Sequence, residues 1–551
     1  MIYEDLSMHS KSRYFSHQIK RNKGSLPAAI SNELEMLTNT GQWDQLEIKA
    51  RAVTKRHPEQ AIGWKGLGKT LLRSGKWTES LSALSQVAEL APRDADVHND
   101  LGFVFYSLGR EEEAEASYRR ALKINPRFAE AHGNLSALLI DLGRLAEAAV
   151  NLHQSLEIKP DTDFALLCMG TLLDRAGGHD DKAMAFLARA IDLNPNNVNA
   201  YTTLGNILWR TNQVANSVVI FRRAQELRPL TTWPARKEKA DFSVLLLYAP
   251  GSGCIPVNYL TRKAPYDCHS YCVLPDTPQN LDFLRAKADV VLNIIADADY
   301  HKDLLPFAED LVEHIDRPTI NHPRLIKSTD RETVARRLAG IPLCRIPKTI
   351  RLAGSVLAEA AENKVLDGFK MPLLVRIAGN HGGDDFEKLV DLDAVTDFVA
   401  KRPDVDYYVS EYVEYRSADG FFRKYRLICI DGELLPYHLA IHNDWKVHHF
   451  RTDMANQAWM RQEEESFLKD PQLIFDEPHQ AALRAVTEAT GLDYSGIDCA
   501  FDCNGEIVVF ETNATMLVHE EKGEIFAYKN PYIAKIKEAF GAKLARLAAG
   551  G

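Results

Sequence analysis

Apolar positions repeat with a period of about 34 residues through the first 230 residues of the chain. Each period holds a bulky residue, then Leu-Gly or an equivalent pair, and later a small residue and an aromatic residue or leucine. Prolines mark the period at spacings of 34, 34, 34, 35 and 34, at Pro58, Pro92, Pro126, Pro160, Pro195 and Pro229. Glycines keep the same spacing at Gly41, Gly75, Gly109, Gly143 and Gly177, with Asn212 in the last register. Such a period predicts helix pairs that bury their apolar faces only by stacking on their neighbours.

This period resembles the tetratricopeptide repeat, and the resemblance covers residues 27–230 as six repeats after an N-terminal extension of residues 1–26. It implies an all-α solenoid whose concave groove binds an extended peptide or a partner protein. The groove candidates are polar residues of the first helices that lie outside the repeat pattern: Asn99, Asp100, Asn134 and Asn206. A solvated helix face is the alternative interpretation of these residues, and self-association is the alternative role of the array.

The pattern changes after Pro234, where the 34-residue period stops. The apolar runs at 243–249 and 289–295 are typical of buried strands, and an amphipathic helix is expected over 304–314. This alternation predicts a small parallel α/β layer. The loop PGSGC after the first run places Gly251 and Gly253 where they would form either a phosphate loop or an ordinary turn between strand and helix.

A hairpin with three acceptor side chains is expected near the end of the chain. Asn504-Gly505 predicts a tight type I′ turn, and pairing back from that turn places Asp498 opposite Glu511. Alternation of side chains then puts Asn513 on the same face. Two carboxylates and an amide in one place suit a hard cation such as Mg²⁺ shared with substrate phosphates. A solvated hairpin that carries acidic residues by chance is the alternative.

Composition and charge narrow the classes of function. A chain of 551 residues with 45% hydrophobic and 26% charged residues is typical of a soluble protein with several domains. The net charge of −10 argues against recruitment by nucleic acid or by an anionic membrane. The N-terminus has no apolar core of a secretory signal, and no apolar run approaches the length of a membrane span. Eight cysteines without a CxxC pair indicate reduced thiols and a cytoplasmic protein.

The order of motifs in the C-terminal half resembles the ATP-grasp fold, the group that contains D-alanine–D-alanine ligase and glutathione synthetase. The resemblance covers about residues 241–545, and its most specific part is the hairpin, because the family binds Mg²⁺ through an acid followed by acid-x-Asn. It implies a small α/β subdomain at 241–325 and the α+β ATP-grasp subdomains at 326–551. The expected ligands are ATP and two Mg²⁺ ions, or Mn²⁺ in their place.

The resemblance also assigns cations and glycines of the nucleotide site. The family places a cation on the strand before its glycine loop, which is Arg376 here, and a second cation before a small helix, which matches Arg331. Both positions usually hold lysine, so the planar guanidinium groups are a departure from the family pattern. Gly382 and Gly383, after Gly379, would close on ATP through backbone N–H groups.

The remaining site residues follow from the same resemblance. The stretch Ser410-Glu411-Tyr412-Val413 would contact adenine through its main chain, with Glu411 toward adenine and Glu414 toward ribose. Arg426 would lie near the γ-phosphate or an acyl phosphate, with Lys424 on the same face. Lys446 would face the nucleotide or the acceptor. The loop after Asn513 departs from the small-Pro-Gly sequence of many members, so the resemblance names no substrate.

The function that the resemblance implies is ligation. A carboxylate would be activated by ATP as an acyl phosphate and captured by an amine, with release of ADP and phosphate. The substrate would be a peptide or protein recruited by the repeat groove, or a small carboxylate or amine. Two alternatives stay open: a kinase that phosphorylates a hydroxyl group, and a scaffold that binds ATP without chemistry.

Overall fold

The computed structural model describes residues 27–550 except for single residues and short stretches at 238, 252–253, 263, 276–279, 380–384, 449–450 and 515. The expected N-terminal extension, Gly253, Gly382 and Gly383 therefore lie outside the described residues. The described part divides into two compact units, with the boundary between Ile207 and Leu208.

Twelve consecutive helices make up the repeat region within the described residues, in agreement with six helix pairs. They are α1 (Ala28–Asn39), α2 (Trp43–Arg56), α3 (Ala61–Arg73), α4 (Trp77–Leu90), α5 (Ala95–Ser107), α6 (Glu111–Ile124), α7 (Ala129–Asp141), α8 (Leu145–Ile158), α9 (Asp163–Ala176), α10 (Asp180–Leu193), α11 (Val198–Arg210) and α12 (Val214–Leu227).

Glycine recurs in this region for two physical reasons. The first helix of each pair ends at a residue with positive φ, between 61° and 75°, which glycine and asparagine adopt most readily: Gly41, Gly75, Gly109, Gly143, Gly177 and Asn212. Inside the pairs, glycine lets two helices approach closely. A Cβ atom at Gly102 would lie 2.6 Å from the ring of Tyr118, a side chain only 2% exposed. The repeat pattern is therefore a packing pattern.

The second unit begins within the last repeat. Phe221 of α12 packs in a small apolar cluster with Cys272 and Leu274. The Gln225 amide donates to the carbonyl oxygen of Cys272 at 2.6 Å. The last repeat helix is thus part of the second compact unit.

A five-stranded α/β sheet comes next, and it confirms the parallel layer expected from the sequence. Strands β2, β3, β4 and β5 are parallel, β1 pairs antiparallel at the edge, and the order is β1-β3-β2-β4-β5. The elements are β1 (Thr231–Trp233), β2 (Ser243–Tyr248), α13 (Asn258–Thr261), β3 (Asp267–Cys272), α14 (Leu281–Arg285), β4 (Val290–Asn293), α15 (Leu305–Ile315) and β5 (Thr319–Ile320).

A four-stranded antiparallel sheet follows, with the order β7-β10-β8-β9. The elements over this stretch are α16 (Pro323–Ile326), α17 (Arg331–Leu338), β6 (Cys344–Arg345), β7 (Thr349–Ala353), α18 (Gly354–Glu362), β8 (Leu373–Ile377), β9 (Phe386–Leu389), α19 (Leu392–Val399) and β10 (Asp406–Glu411). Strand β6 does not join this sheet.

The third sheet has five strands in the order β12-β11-β13-β14-β6. It is antiparallel except for the parallel pair β14 and β6. Its elements are β11 (Phe422–Ile430), β12 (Glu433–His442), α20 (Ala458–Lys469), α21 (Glu477–Thr490), β13 (Tyr494–Phe501), β14 (Ile507–Asn513) and α22 (Asn530–Ala548), with 3-10 turns at Pro471–Leu473 and Glu524–Lys529. The region after the repeats is therefore mixed α/β.

Candidate functional site

The expected hairpin forms, but its turn differs from the expected one. Within the described residues Gly505 has a positive φ of 82° and Asn504 does not, and the Gly505 N–H donates to the carbonyl oxygen of Asp502 at 3.2 Å. The prediction of a type I′ turn was therefore wrong, because a three-residue loop with left-handed Gly505 closes the strands. This shifts the pairing near the turn by one residue, so that Ala500 faces Val508.

A β-bulge restores the expected pairing at the functional positions. The register changes between Asp498 and Cys499, and Asp498 then lies opposite Glu511. The Asn513 amide donates to the Glu511 carboxylate, so all three acceptor residues share one face. The prediction that Asp498, Glu511 and Asn513 lie together is therefore confirmed, although the three-residue turn and the bulge that produce this arrangement were not predicted.

Protein cations accompany both carboxylates. Arg426 donates to Asp498 through two nitrogens, with Nε–Oδ1 at 2.6 Å and Nη2–Oδ2 at 2.8 Å, and the Lys424 ammonium lies 3.0 Å from Oδ2. The Arg331 guanidinium donates to Glu511 Oε2 at 2.8 Å. The two opposed carboxylates therefore do not by themselves require a metal ion, which corrects the argument from like-charge repulsion.

The neighbouring cations keep both carboxylates ionised. Burial favours the neutral form of Asp498, which is only 4% exposed, but Arg426 and Lys424 hold its pKa well below the usual range. Burial also opposes ionisation of Glu511, but Arg331 and Arg376 together outweigh burial and the nearby Asp498 charge, and they lower the pKa of Glu511. The site therefore presents one buried and one partly buried negative charge, each with a hydrogen-bonded cation.

A cavity of about 390 Å³ opens at this face of the hairpin. Its walls come from the four-stranded sheet, the five-stranded sheet of the hairpin, helix α17 and the loop after β4. Lys424 lines this cavity. So do seven of the predicted charged and polar residues, which are Arg331, Arg376, Arg426, Lys446, Asp498, Glu511 and Asn513. Residues 180 positions apart, such as Arg331 and Glu511, meet here.

Arg376 is the most deeply buried of the predicted cations. It lies on β8, is 8% exposed, and its guanidinium stands 5.3 Å from the centre of the Phe386 ring. Burial, followed by repulsion from Arg331, lowers the pKa of Arg376 to about 10. The Lys446 ammonium lies at the cavity wall and donates to the Phe386 carbonyl oxygen at 2.5 Å. Both cations therefore lie at the wall of the cavity.

The stretch expected to contact adenine lines another part of the same cavity. Ser410, Glu411, Tyr412 and Val413 all line it, and Val413 is buried. Glu414 is exposed, is not among the lining residues, and accepts from the Tyr412 hydroxyl at 3.2 Å. The structure thus brings Glu411 and Val413 to the cavity and leaves Glu414 outside it.

One residue that contacts the lining of the cavity carried no signal in the sequence. Arg345 of β6 donates to Glu411 at 2.8 Å and stands 3.7 Å from Asp502. It therefore holds the carboxylate that was expected to face adenine. A lone arginine on a two-residue strand has no local pattern, and only the pairing of β6 with β14 could have revealed it.

Aromatic residues line the cavity beside Lys446. The rings of Phe386 and Trp445 lie 5.5 Å apart, and those of Tyr412 and Trp445 lie 6.2 Å apart. Phe386 follows the glycine stretch and Trp445 precedes Lys446 in the sequence. Both aromatic residues are therefore next to predicted site residues in the sequence, and this position could have indicated that they line the cavity.

The donor set fits a hard divalent ion in part. Two carboxylates and an amide oxygen are the ligand types that Mg²⁺ prefers, and further oxygens, such as those of a phosphate, would complete its coordination. Over the residues that the structure describes, no group of three or more His, Cys, Asp or Glu side chains could hold a metal ion. Asp498, Glu511 and Asn513 therefore fit an ion that arrives with a ligand better than one held by the protein alone.

Two groove candidates of the repeat array contact each other. The Asn134 amide donates to Asn99 Oδ1 at 2.9 Å. Burial raises the pKa of Asp100 to about 6, although Lys69 lies 3.8 Å away. Neighbouring repeats thus connect their polar side chains along this face of the first helices, at the register expected from the sequence.

Comparisons with known proteins support the repeat assignment. Models described as "Tetratricopeptide repeat" match residues 49–95, 65–127, 105–168 and 198–229. No curated protein matched the chain. No helix within the described residues has the length and apolar character needed to cross a membrane.

Solved structures with similarity to the chain include several repeat proteins. The APC/C hetero-tetramer Cut9-Hcn1 matches with 18% identity over 36% of this chain and 39% of that chain, with a TM-score of 0.34. TTC0263 of Thermus thermophilus, a thermophilic TPR protein, matches with 21% identity over 33% of this chain and 98% of that chain, with a TM-score of 0.29. YrrB, a TPR protein with an unusual peptide-binding site, matches with 18% identity over 33% of this chain and 92% of that chain, with a TM-score of 0.26.

This chain covers less than half of the first of those structures. At such low TM-scores the three likenesses add nothing to the matches with the repeat models. The models, the 34-residue period and the twelve helices agree with one another. Residues from about 49 to 229 are therefore an array of tetratricopeptide repeats, and a mixed α/β region follows them.

Proposed function

We propose that the second unit is an ATP-dependent ligase of the ATP-grasp type, which activates a carboxylate as an acyl phosphate for capture by an amine. The observation that supports this most strongly is the meeting of Asp498, Glu511 and Asn513 with Arg331, Arg376 and Arg426 in one cavity. Oxygen ligands for a hard cation and guanidinium groups for anions are the two requirements of phosphoryl transfer from a nucleotide.

Each part of the cavity has a proposed task. Asp498, Glu511 and Asn513 would hold divalent ions, which would neutralise the negative charge that develops during phosphoryl transfer. Arg331 and Arg376 would bind the phosphates, and their forked guanidinium groups favour bidentate contacts over the single contact of a lysine. Glu411, held by Arg345, and the buried main chain at Val413 would bind the base.

The proposed reaction has two steps. In the first, a carboxylate oxygen of the substrate attacks the γ-phosphorus, the bond to the β-phosphate oxygen breaks, and ADP leaves. In the second, the amine nitrogen attacks the acyl carbon, the bond from that carbon to the phosphate oxygen breaks, phosphate leaves, and the nitrogen loses a proton to solvent. Arg426 and Lys446 would stabilise the charge on the transferred group, because both cations line the cavity beside the hairpin.

The repeat array would recruit the substrate. Tetratricopeptide repeats form protein-interaction surfaces, and an array in the same chain as a ligase would raise the local concentration of a bound peptide or protein. We therefore infer that one substrate, the carboxylate or the amine, belongs to a peptide or protein.

The test is release of ADP by the full chain with Mg²⁺ and ATP against pooled carboxylates and amines. We expect ADP and phosphate that depend on a carboxylate, and loss of at least about a hundredfold in rate for Glu511→Gln. The matched control is Glu506→Gln, an exposed acid at the turn of the same hairpin, which should keep the rate of the unmodified chain.

The products separate the alternatives. Release of AMP and pyrophosphate would contradict an acyl-phosphate mechanism. A stable phosphoester without an amide would show a kinase that acts on a hydroxyl group. Binding of ATP with no product across the whole panel would indicate a scaffold without chemistry.

A further inference from the structure

A group of charged side chains is buried on the far side of β12 from its strand partner β11, outside the cavity. Glu464 of α20 is completely buried, and Lys529, at the end of the second 3-10 turn, is 5% exposed. Neither residue lines the cavity. Burial of a charge is costly, so the contacts of these two residues need a physical explanation.

Glu464 accepts hydrogen bonds from three groups, which belong to two elements, β12 and the second 3-10 turn. It accepts from His438 Nδ1 of β12 at 2.5 Å, from the backbone N–H of Leu439 at 3.1 Å, and from the Tyr528 hydroxyl at 2.5 Å. Strand β12 is the edge of its sheet, so its outward N–H groups have no neighbouring strand. Glu464 therefore joins helix α20 to that edge and to the 3-10 turn.

Lys529 extends this connection to the loop after the hairpin. Its ammonium lies 3.8 Å from Glu464 and 2.8 Å from the Glu521 carboxylate. Asn530 holds the backbone of Glu521 on both sides, with contacts of 2.9 and 3.0 Å. The charges alternate along the line Glu464, Lys529, Glu521, which we call the buried charge relay.

The loop that the relay holds also forms a wall of the cavity. Met516 and Leu517 line the cavity, and the same loop continues through His519, which contacts the Tyr437 hydroxyl at 3.1 Å, to Glu521. Leu517 is 42% exposed, so its side chain is available to a ligand. Residues 516–521 thus join the apolar cavity wall to the buried charge relay, and we call them the wall loop.

The relay also lies next to the strand that carries a predicted catalytic cation. His438, which donates to Glu464, pairs across the sheet with Arg426. The buried Glu464 carboxylate therefore contacts His438, the cross-strand neighbour of Arg426, and also contacts Lys529, which holds the wall loop. A well-packed apolar cluster would hold a helix against a strand at lower cost, so stability alone is a poor reason for this arrangement.

We propose that Glu464 and Lys529 are positioning residues, which hold the wall loop in place and so determine the shape of the cavity at Met516 and Leu517. The proposed function assigns no nucleotide contact to these two residues, and we place the acceptor against them. This rests on the proposed function for its chemical meaning, since the acceptor is the substrate of that reaction. Met516 and Leu517 make this wall apolar, so the acceptor would place an apolar group against it.

The test compares the order of the wall loop with the stability of the whole unit. In Lys529→Met, hydrogen exchange of the wall loop, followed at the Glu521 amide that donates to Asn530 Oδ1 at 2.9 Å, should accelerate about tenfold or more. This corresponds to a loss of about 1.4 kcal/mol in local protection. The amides of β13 and β14 should exchange as in the unmodified chain, and the Kd of Mg·ADP should stay within about twofold.

Two further variants keep the test decisive. Glu521→Gln removes the charge that anchors the loop but keeps a side-chain oxygen that accepts from Lys529, and Glu464 at 3.8 Å remains as counter-charge. The variant should therefore fold and should also accelerate exchange of the wall loop. The double variant Glu464→Gln with Lys529→Met removes the buried charges together, so its Tm should recover while the wall loop still exchanges fast. Lys535→Met, an exposed lysine on α22, is the matched control and should change nothing.

Each outcome is informative. Unchanged exchange of the wall loop in Lys529→Met and Glu521→Gln would overturn the proposal. Recovery of both Tm and loop order in the double variant, or faster exchange throughout the unit, would show a merely structural role. Failure of the unmodified chain to bind Mg·ADP would instead contradict the proposed function, and the exchange of the wall loop would still decide whether the relay positions it. In the ADP-release assay, a raised KM for the acceptor with an unchanged KM for ATP would support positioning.

Discussion

Removal of the Arg426 guanidinium tests the electrostatic account of the hairpin most directly. Asp498 is 4% exposed, and two hydrogen bonds of 2.6 and 2.8 Å join it to Arg426. Arg426→Met keeps most of the side-chain volume and removes the charge. The Asp498 carboxylate then keeps a single cationic partner, Lys424 at 3.0 Å.

The size of the effect follows from this geometry. Loss of one partner of a buried ion pair costs about 3–5 kcal/mol, because the remaining charge stays buried and undercompensated. Since Lys424 continues to neutralise Asp498 in part, we expect the lower end of that range, about 3 kcal/mol. The loss in free energy of unfolding can be measured for the second unit alone by urea unfolding, with hydrogen-exchange protection of the β13 and β14 amides as the readout.

The control is another arginine of the same unit. Arg546 pairs with Asp431 at the surface, where the two side chains are 53% and 42% exposed. Arg546→Met should therefore cost less than about 1 kcal/mol. Equal losses in Arg426→Met and Arg546→Met, or no loss in either, would refute the idea that the Arg426 charge stabilises the buried Asp498 carboxylate.

Two other predictions concern the supports of the cavity wall. A Cβ atom at Gly496 would lie 2.0 Å from Met516 Cγ, so Gly496→Ala should displace Met516 and cost about 1–3 kcal/mol in urea unfolding, whereas Gly541→Ala, with open space around it, should cost nothing. Burial opposes ionisation of Glu464, but His438 and Lys529 lower its pKa from 4.5 to about 2. Its ionised form therefore contributes about 3 kcal/mol above pH 4.5, which is lost as the pH falls toward 2. Urea titrations at several pH values should show this decrease in the free energy of unfolding. In Glu464→Gln, the part of the decrease that comes from protonation of Glu464 should be absent.

The hairpin shows how far local sequence could predict the site. Asn504-Gly505 correctly indicated a reversal, and strand alternation correctly placed Asp498 opposite Glu511. The turn type was wrong, and a bulge at Asp498 compensated for the error. Bulges depend on twist and on packing against neighbouring strands, so the residues of the hairpin alone do not specify where one occurs.

The partners of the carboxylates could not be predicted from spacing. The resemblance to the ATP-grasp fold indicated Arg331 and Arg426 as phosphate contacts, whereas in the structure they contact Glu511 and Asp498. Arg345 and the relay residue Glu464 had no sequence pattern at all. Such contacts join positions far apart in the chain, and only the folded sheets bring them together.

The sequence by itself determined the repeat array, its 34-residue period and the parallel strands that follow, because these depend on local periodicity, on turn residues with positive φ and on the burial of apolar runs. The tertiary structure alone decided which cation meets which carboxylate, that Glu414 stays outside the cavity and that the last repeat helix packs into the second unit. The physical reason is range: helix and strand periods act over a few residues, whereas ion pairs and cavities form between side chains that only folding brings into contact.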